Sequence, residues 1–270
     1  MTYQETDLIA KIDALLTEAG IDPTDDPSAL NAFDQYHAGG AAAVNLLIPT
    51  LQLGNESTVL DVGAGFGGPA RQIASQTGAR VIGVDITASY VETAMWLTER
   101  CGLSHRVSFE EIDIAEYRHD GPIDAAITMH VQMNVEFKSA WYRAIADRLV
   151  DGGRLAIWEV CRSGDQMPTW PMPWSLDGTD SFLVTPDELE ADILSAGFEA
   201  IEWEDASVWD ADWFASLQSG GPPAGPALLD DGFTRVLNYV AASRTARLWF
   251  GVACSSRSRC RARDDDDDRV

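Results

Sequence analysis

The sequence predicts an α/β fold, a doubly wound sheet of mostly parallel strands with helices on both faces. Three observations predict it. Apolar runs of strand length alternate with helical patterns between residues 58 and 160. The first run stops at a cluster of glycines, Gly63, Gly65, Gly67 and Gly68, and a helical segment begins at once. The second run ends in a lone carboxylate, Asp85. Strands separated by helices imply a parallel sheet with right-handed crossovers, the Rossmann-like arrangement. A chain of 270 residues, 46% hydrophobic, is long enough for one large domain or a domain with a small cap.

In chain order, residues 4–19 place Leu8, Ile9, Ile12, Leu15 and Leu16 at helical spacing. An acidic, proline-containing connector spans 22–27, and 41–51 reads as a helix leading into the sheet. Strands are expected at 58–62, 80–85, 106–112, 123–128 and 154–160, with helices at 68–77, 88–101 and 137–149. The next helix has explicit punctuation: Thr185 as N-cap, Pro186 at the first position, Glu188 closing a capping box, and Gly197 after the end. Strands at 198–204 and 246–253 bring the sheet to seven. Residues 254–270 mix arginines with a run of five aspartates and lack an apolar period, so a disordered charged tail is expected.

Composition excludes some functions. The formal net charge is -24, from 43 acids against 19 bases, and the only lysines are Lys11 and Lys138. A field of this sign repels a phosphate backbone, so no nucleic-acid partner is expected. No run is long enough for a membrane helix, and the N-terminus has no basic start followed by an apolar stretch. The four cysteines show no zinc spacing, and a cytoplasmic, reduced protein is expected. Oligomeric state has no signal in the sequence.

The glycine turn places backbone amides and a helix N-terminus against a ligand. Gly63, Gly65 and Gly68 satisfy G-x-G-x-x-G, a pattern shared by dinucleotide and S-adenosylmethionine sites. Asp61 favours the second, because a carboxylate two residues before the first glycine suits a sulfonium and an ammonium and repels a pyrophosphate. Asp85, with Ile86 beside it, is placed to accept from ribose hydroxyls. Asp113 at the end of the third strand is placed to accept from an adenine amino group, with the Ile114 amide alongside. The cofactor set read here is therefore Asp61, Gly63, Ala64, Gly65, Gly67, Asp85, Ile86, Asp113 and Ile114.

These pieces, with Ile127-Thr-Met-His130 and Leu149-Val-Asp-Gly-Gly-Arg-Leu155, resemble the class I S-adenosylmethionine-dependent methyltransferases over residues 30–253. Gly67-Gly68-Pro69-Ala70-Arg71 and Asp34-Gln-Tyr-His-Ala-Gly-Gly40 are similar to segments of the UbiE, sarcosine/dimethylglycine and tocopherol types. The resemblance implies an antiparallel last strand, a cofactor lid within residues 1–57 that includes Gln35, and a core over 58–253 with a substrate loop inserted around 161–180. It also implies that Met129 and His130 lie where the methyl group is presented. His130 is the catalytic candidate, either as a base or as a group that orients the cofactor. Gln132 and Asn134 are polar candidates on the same loop, with turn formation as the competing reading. Trp170 and Trp174 can shape an acceptor pocket or cover the sheet edge. No metal is expected, since metal-assisted relatives need carboxylates where this chain has Thr128, Met129 and His130. The implied reaction is methyl transfer to a small molecule, an amine or a phenol or enol. A nicotinamide-dependent oxidoreductase and a non-catalytic cofactor-binding protein are the alternatives.

Overall fold

The computed structural model describes residues 7–24, 26–165, 167–199, 203–217, 232–244 and 248–256. Seven strands form one sheet: β1 (Thr58–Val62), β2 (Arg80–Asp85), β3 (Val107–Glu111), β4 (Ala125–Met129), β5 (Arg154–Arg162), β6 (Glu204–Asp205) and β7 (Leu248–Ser256). Their order is β3-β2-β1-β4-β5-β7-β6. The first five are parallel, and β7 runs antiparallel to both β5 and β6. The strand order reverses between β1 and β4, so the chain leaves these neighbours in opposite directions and opens a crevice at their C-terminal ends.

Alternation along each strand divides the core. Val59, Val81, Ala125, Ile127 and Trp158 pack on one face with α3 (Gly40–Leu51) and α4 (Gly68–Thr77). Leu60, Val62, Val84, Ala126 and Ile157 pack on the other with α6 (Lys138–Ala146) and α7 (Pro186–Ser195). A third cluster joins α1 (Leu8–Ala19), through Leu8, Ile12 and Leu16, to Tyr90 and Leu97 of α5 (Ala88–Arg100). The short helix α2 (Asn31–Asp34) adds Phe33 to that cluster and delivers the chain to the crevice.

The capping box of α7 forms as its sequence specifies. Thr185 Oγ1 accepts from the Glu188 amide at 3.3 Å, and Glu188 Oε2 accepts from the Thr185 amide at 2.8 Å. Strand β6 is shorter than the expected 198–204 and lies at its far end; residues 200–202 fall outside the described residues. Strand β7 continues to Ser256, three residues beyond the expected end of the core, while the tail from 257 onward lies outside the described residues. Two further helices, α8 (Ser207–Leu217) and α9 (Gly232–Arg244), pack near β7. Trp209 of α8 meets Trp158 edge-on in the core. No helix among the described residues is long and apolar enough to cross a membrane.

Candidate functional site

A cavity of about 860 Å³ opens at the reversal point. Its floor is the turn after β1. Gly63 adopts φ 77° and donates to the Val84 carbonyl at 2.8 Å, which draws the turn against the end of β2. A Cβ at Gly63 would stand 2.5 and 2.8 Å from the two methyls of Val131, so this close crossing requires glycine. The Gly65 amide donates to Asp85 Oδ2 at 2.9 Å, and the Thr87 amide donates to Oδ1 at 2.9 Å. Asp85 thus fixes the turn while facing the cavity; burial raises its pKa, and these amide bonds oppose the rise.

Asp61, Gly63, Ala64, Gly65, Asp85, Ile86, Asp113, Ile114, Met129 and His130 are brought together on the cavity wall, all from the sequence-derived set. Two members of that set are not on it. Gly67 caps α4 beneath the Phe109 ring. Gln35 turns aside, its Nε2 donating to Gln72 Oε1 at 3.1 Å and its Oε1 lying 3.0 Å from His37 Nε2. Its neighbours Asp34, Tyr36 and His37 line the cavity instead. This segment is tied to α4 by a buried pair, Arg71 Nη2 to Asp34 Oδ2 at 2.8 Å, with both side chains 3% exposed. Arg71 also donates to the Thr98 hydroxyl and the Phe66 carbonyl, so its charge is enclosed by acceptors.

Asp61 is 2% exposed, and its Oδ2 has no hydrogen-bond partner among the described residues. Burial, then the neighbouring Asp85, push its pKa up to about 7, with Arg71 acting in the opposite direction. A buried carboxylate without a partner is costly, and a cation supplies what it lacks. Asp34, Asp61, Asp85, Glu111, Asp113 and Asp180 line the cavity, with no lysine or arginine on the wall among the described residues. Asp113 is exposed, and its Oδ1 accepts from the Ala115 amide at 2.9 Å.

His130 stands at the end of β4 with φ 57°, a left-handed conformation uncommon for a side-chain-bearing residue. Burial, then the adjacent His37, push its pKa down to about 3, while burial takes His37 to about 4. Both rings are therefore neutral at pH 7. Their centroids lie 6.3 Å apart, and the Tyr239 ring is also 6.3 Å from His130.

Beyond His130, Asn134 lines the cavity and donates through Nδ2 to the Trp174 and Asp180 carbonyls at 3.0 Å each. Gln132 is fully buried and donates to the Val160 carbonyl, which makes it part of the frame. Trp174 packs edge-on against Tyr239 in the core, Trp170 packs edge-on against Trp174, and neither lines the cavity. His105 and His119 are exposed, away from the site. No cluster of metal-ligating side chains occurs among the described residues. Glu159, which the sequence reading passed over, is fully buried beneath the His130 turn and accepts from the Thr128 hydroxyl at 2.7 Å. An acid inside the run Ala156-Ile-Trp-Glu-Val160 was the available signal.

Residues 59–153 match the family model described as a methyltransferase domain. A sterol 24-C-methyltransferase of Aspergillus fumigatus is 35% identical over 102 residues, 37% of this chain and 27% of that protein. The methyltransferase GfsG of Streptomyces halstedii is 29% identical over 211 residues, 76% of this chain and 70% of that protein. The chain spans less than half the length of several curated relatives it matches, including that sterol enzyme. Among solved structures, the [4+2]-cyclase SpnF is 25% identical with a TM-score of 0.63, covering 81% of each chain.

Proposed function

We propose that this chain, whose residues 59–153 match a methyltransferase domain, is a class I enzyme that transfers a methyl group from S-adenosylmethionine to a small-molecule acceptor. The observation that carries the cofactor assignment is Asp61, a buried carboxylate with an unpartnered oxygen in an acidic cavity. This site suits an ammonium and a sulfonium and opposes the pyrophosphate of a nicotinamide cofactor. In this reading Asp61 faces the ammonium, Asp85 accepts from the ribose hydroxyls, and Asp113 with the Ile114 amide meets the adenine edge. Ile86, 64% exposed at the rim, offers apolar surface to the base. The bound cofactor supplies an already activated methyl group.

The protein's contribution is alignment and exclusion of water, which in favourable cases supplies about 7–11 kcal/mol. His37, Met129, His130, Val135 and Trp141 form the end we assign to the acceptor. An imidazole held near pKa 3 is too weak a base to take a proton from a hydroxyl at pH 7. We therefore assign His130 the orienting role, as a neutral hydrogen-bonding group beside the methyl group. The acceptor is an amine, phenol or enol; a phosphorylated one would meet an acidic wall with no lysine or arginine among its described residues. The N-terminal segment serves as the lid, supported by the places of Asp34, Tyr36 and His37 on the wall. The stretch around 161–180 serves as the acceptor-side loop, supported by Asp180. A cytoplasmic setting fits the free thiols of Cys101 and Cys161.

The likeness to a cyclase makes product formation the deciding experiment. Incubation with S-adenosylmethionine carrying a labelled methyl group, across a panel of amines, phenols and enols, should give a labelled product and S-adenosylhomocysteine. Cofactor binding with no labelled product from any acceptor class would favour the second reading, a fold that retains the cofactor without transferring its methyl group.

A further inference from the structure

We propose that Glu159 is a positioning residue that holds His130 in its left-handed turn and joins that turn to the acceptor-side loop. The role for His130 rests on the methyl-transfer reading; the geometry does not. Glu159 lies on β5 with no exposure. Its Oε1 accepts from Thr128 Oγ1 at 2.7 Å, and both oxygens receive the Val131 amide, at 3.2 and 3.1 Å. The Gln132 amide reaches Oε2 at 3.4 Å. These donors bracket Met129 and His130, which line the cavity. The residues flanking Glu159 grip the same turn, as the Trp158 carbonyl accepts from the His130 amide at 2.9 Å and the Val160 carbonyl accepts from Gln132 Nε2 at 2.5 Å. Three consecutive residues of β5 therefore clamp a conformation that a side-chain-bearing residue rarely adopts.

The same turn carries the wall opposite the cofactor. The Phe182 amide donates to the Met133 carbonyl at 2.7 Å, and Lys138 Nζ donates to the Val135 and Phe182 carbonyls at 2.6 Å. With the Asn134 bonds to Trp174 and Asp180, residues 131–138 anchor the 174–182 stretch. A carboxylate suits this hub because each of its contacts is a donor. An amide in its place has one acceptor oxygen, and its NH2 would oppose the Val131 and Gln132 amides.

The test is Glu159→Gln, read by the C2-proton resonance of His130, assigned by its loss in His130→Ala. S-adenosylhomocysteine affinity is measured alongside. The expected result is a displaced His130 resonance with those of exposed His105 and His119 unmoved, and an affinity within about threefold of the parent, since Asp61 and Asp85 stand on other strands. An unmoved His130 resonance in the folded variant overturns the proposal, as does a displacement shared by all four histidines. If Glu159→Gln does not fold, Thr128→Val removes one donor, leaves the Glu159 side chain in place, and carries the same two outcomes. The resonance needs no acceptor, so a failure of methyl transfer in the parent protein leaves this test intact.

Discussion

Binding of S-adenosylmethionine should expel a proton from Asp61. Burial and the nearby Asp85 raise its pKa to about 7, so at pH 7 the group is about half protonated. A ligand that brings positive charge beside it favours the carboxylate. Binding should then release about half a proton at pH 7 and about nine-tenths at pH 6. The association constant should rise about fivefold from pH 6 to 7 and less than about twofold from pH 7 to 8. Asp85 shares this titration, so the apparent values belong to the pair, and Asp61→Asn isolates the part due to Asp61. Calorimetric titration in two buffers of different ionisation enthalpy measures the proton directly. Asp61→Asn should bind more weakly, with a heat that depends less on the buffer. A buffer-independent heat in the parent, or undiminished release in the variant, would refute the reasoning. The sign for stability follows from the same shift. A carboxyl whose folded pKa is raised from 3.8 to about 7 contributes stability below the lower value and loses it as pH rises through the upper. Without ligand, Asp61→Asn should therefore raise Tm relative to the parent more at pH 8 than at pH 5.

Asp85→Ala removes an acceptor from both the Gly65 and Thr87 amides. It also leaves both ribose hydroxyls without their acceptor; at about 1.5–3 kcal/mol for each hydrogen bond to a charged group, S-adenosylhomocysteine affinity should fall at least about a hundredfold by calorimetry, and unchanged affinity would remove Asp85 from the site. His130→Ala should lower kcat about tenfold while the pH–rate profile keeps its shape between pH 6 and 8; loss of an acidic limb would make His130 a base after all. Gly63→Ala combines φ 77° with contact against Val131 and should cost about 1–3 kcal/mol in chemical denaturation, so a variant as stable as the parent would contradict the described crossing.

Much of the sheet was legible because its signals are local. Strands β1 and β2 begin and end at the expected residues, since each apolar run is closed by a glycine or a carboxylate. The capping box of α7 spans four residues and needs no tertiary information. Signals that depend on distant partners were not legible. The resemblance places Gln35 in the cofactor lid, but it pairs with Gln72, 37 positions away. Arg71 belongs to a recognisable motif, but its role comes from Asp34 across the same interval. Trp170 and Trp174 carry no mark of which face they cover; Trp174 enters the core against Tyr239, and Trp170 packs on Trp174. The neutrality of His130 follows from burial and the approach of His37, 93 positions earlier, which no spacing rule reports.

The most direct test of the cofactor assignment is calorimetric titration of the purified chain with S-adenosylhomocysteine, with a reduced nicotinamide cofactor in parallel. Micromolar binding of S-adenosylhomocysteine alone is the predicted result. Binding of the nicotinamide cofactor alone would contradict the account, beginning with the role given to Asp61.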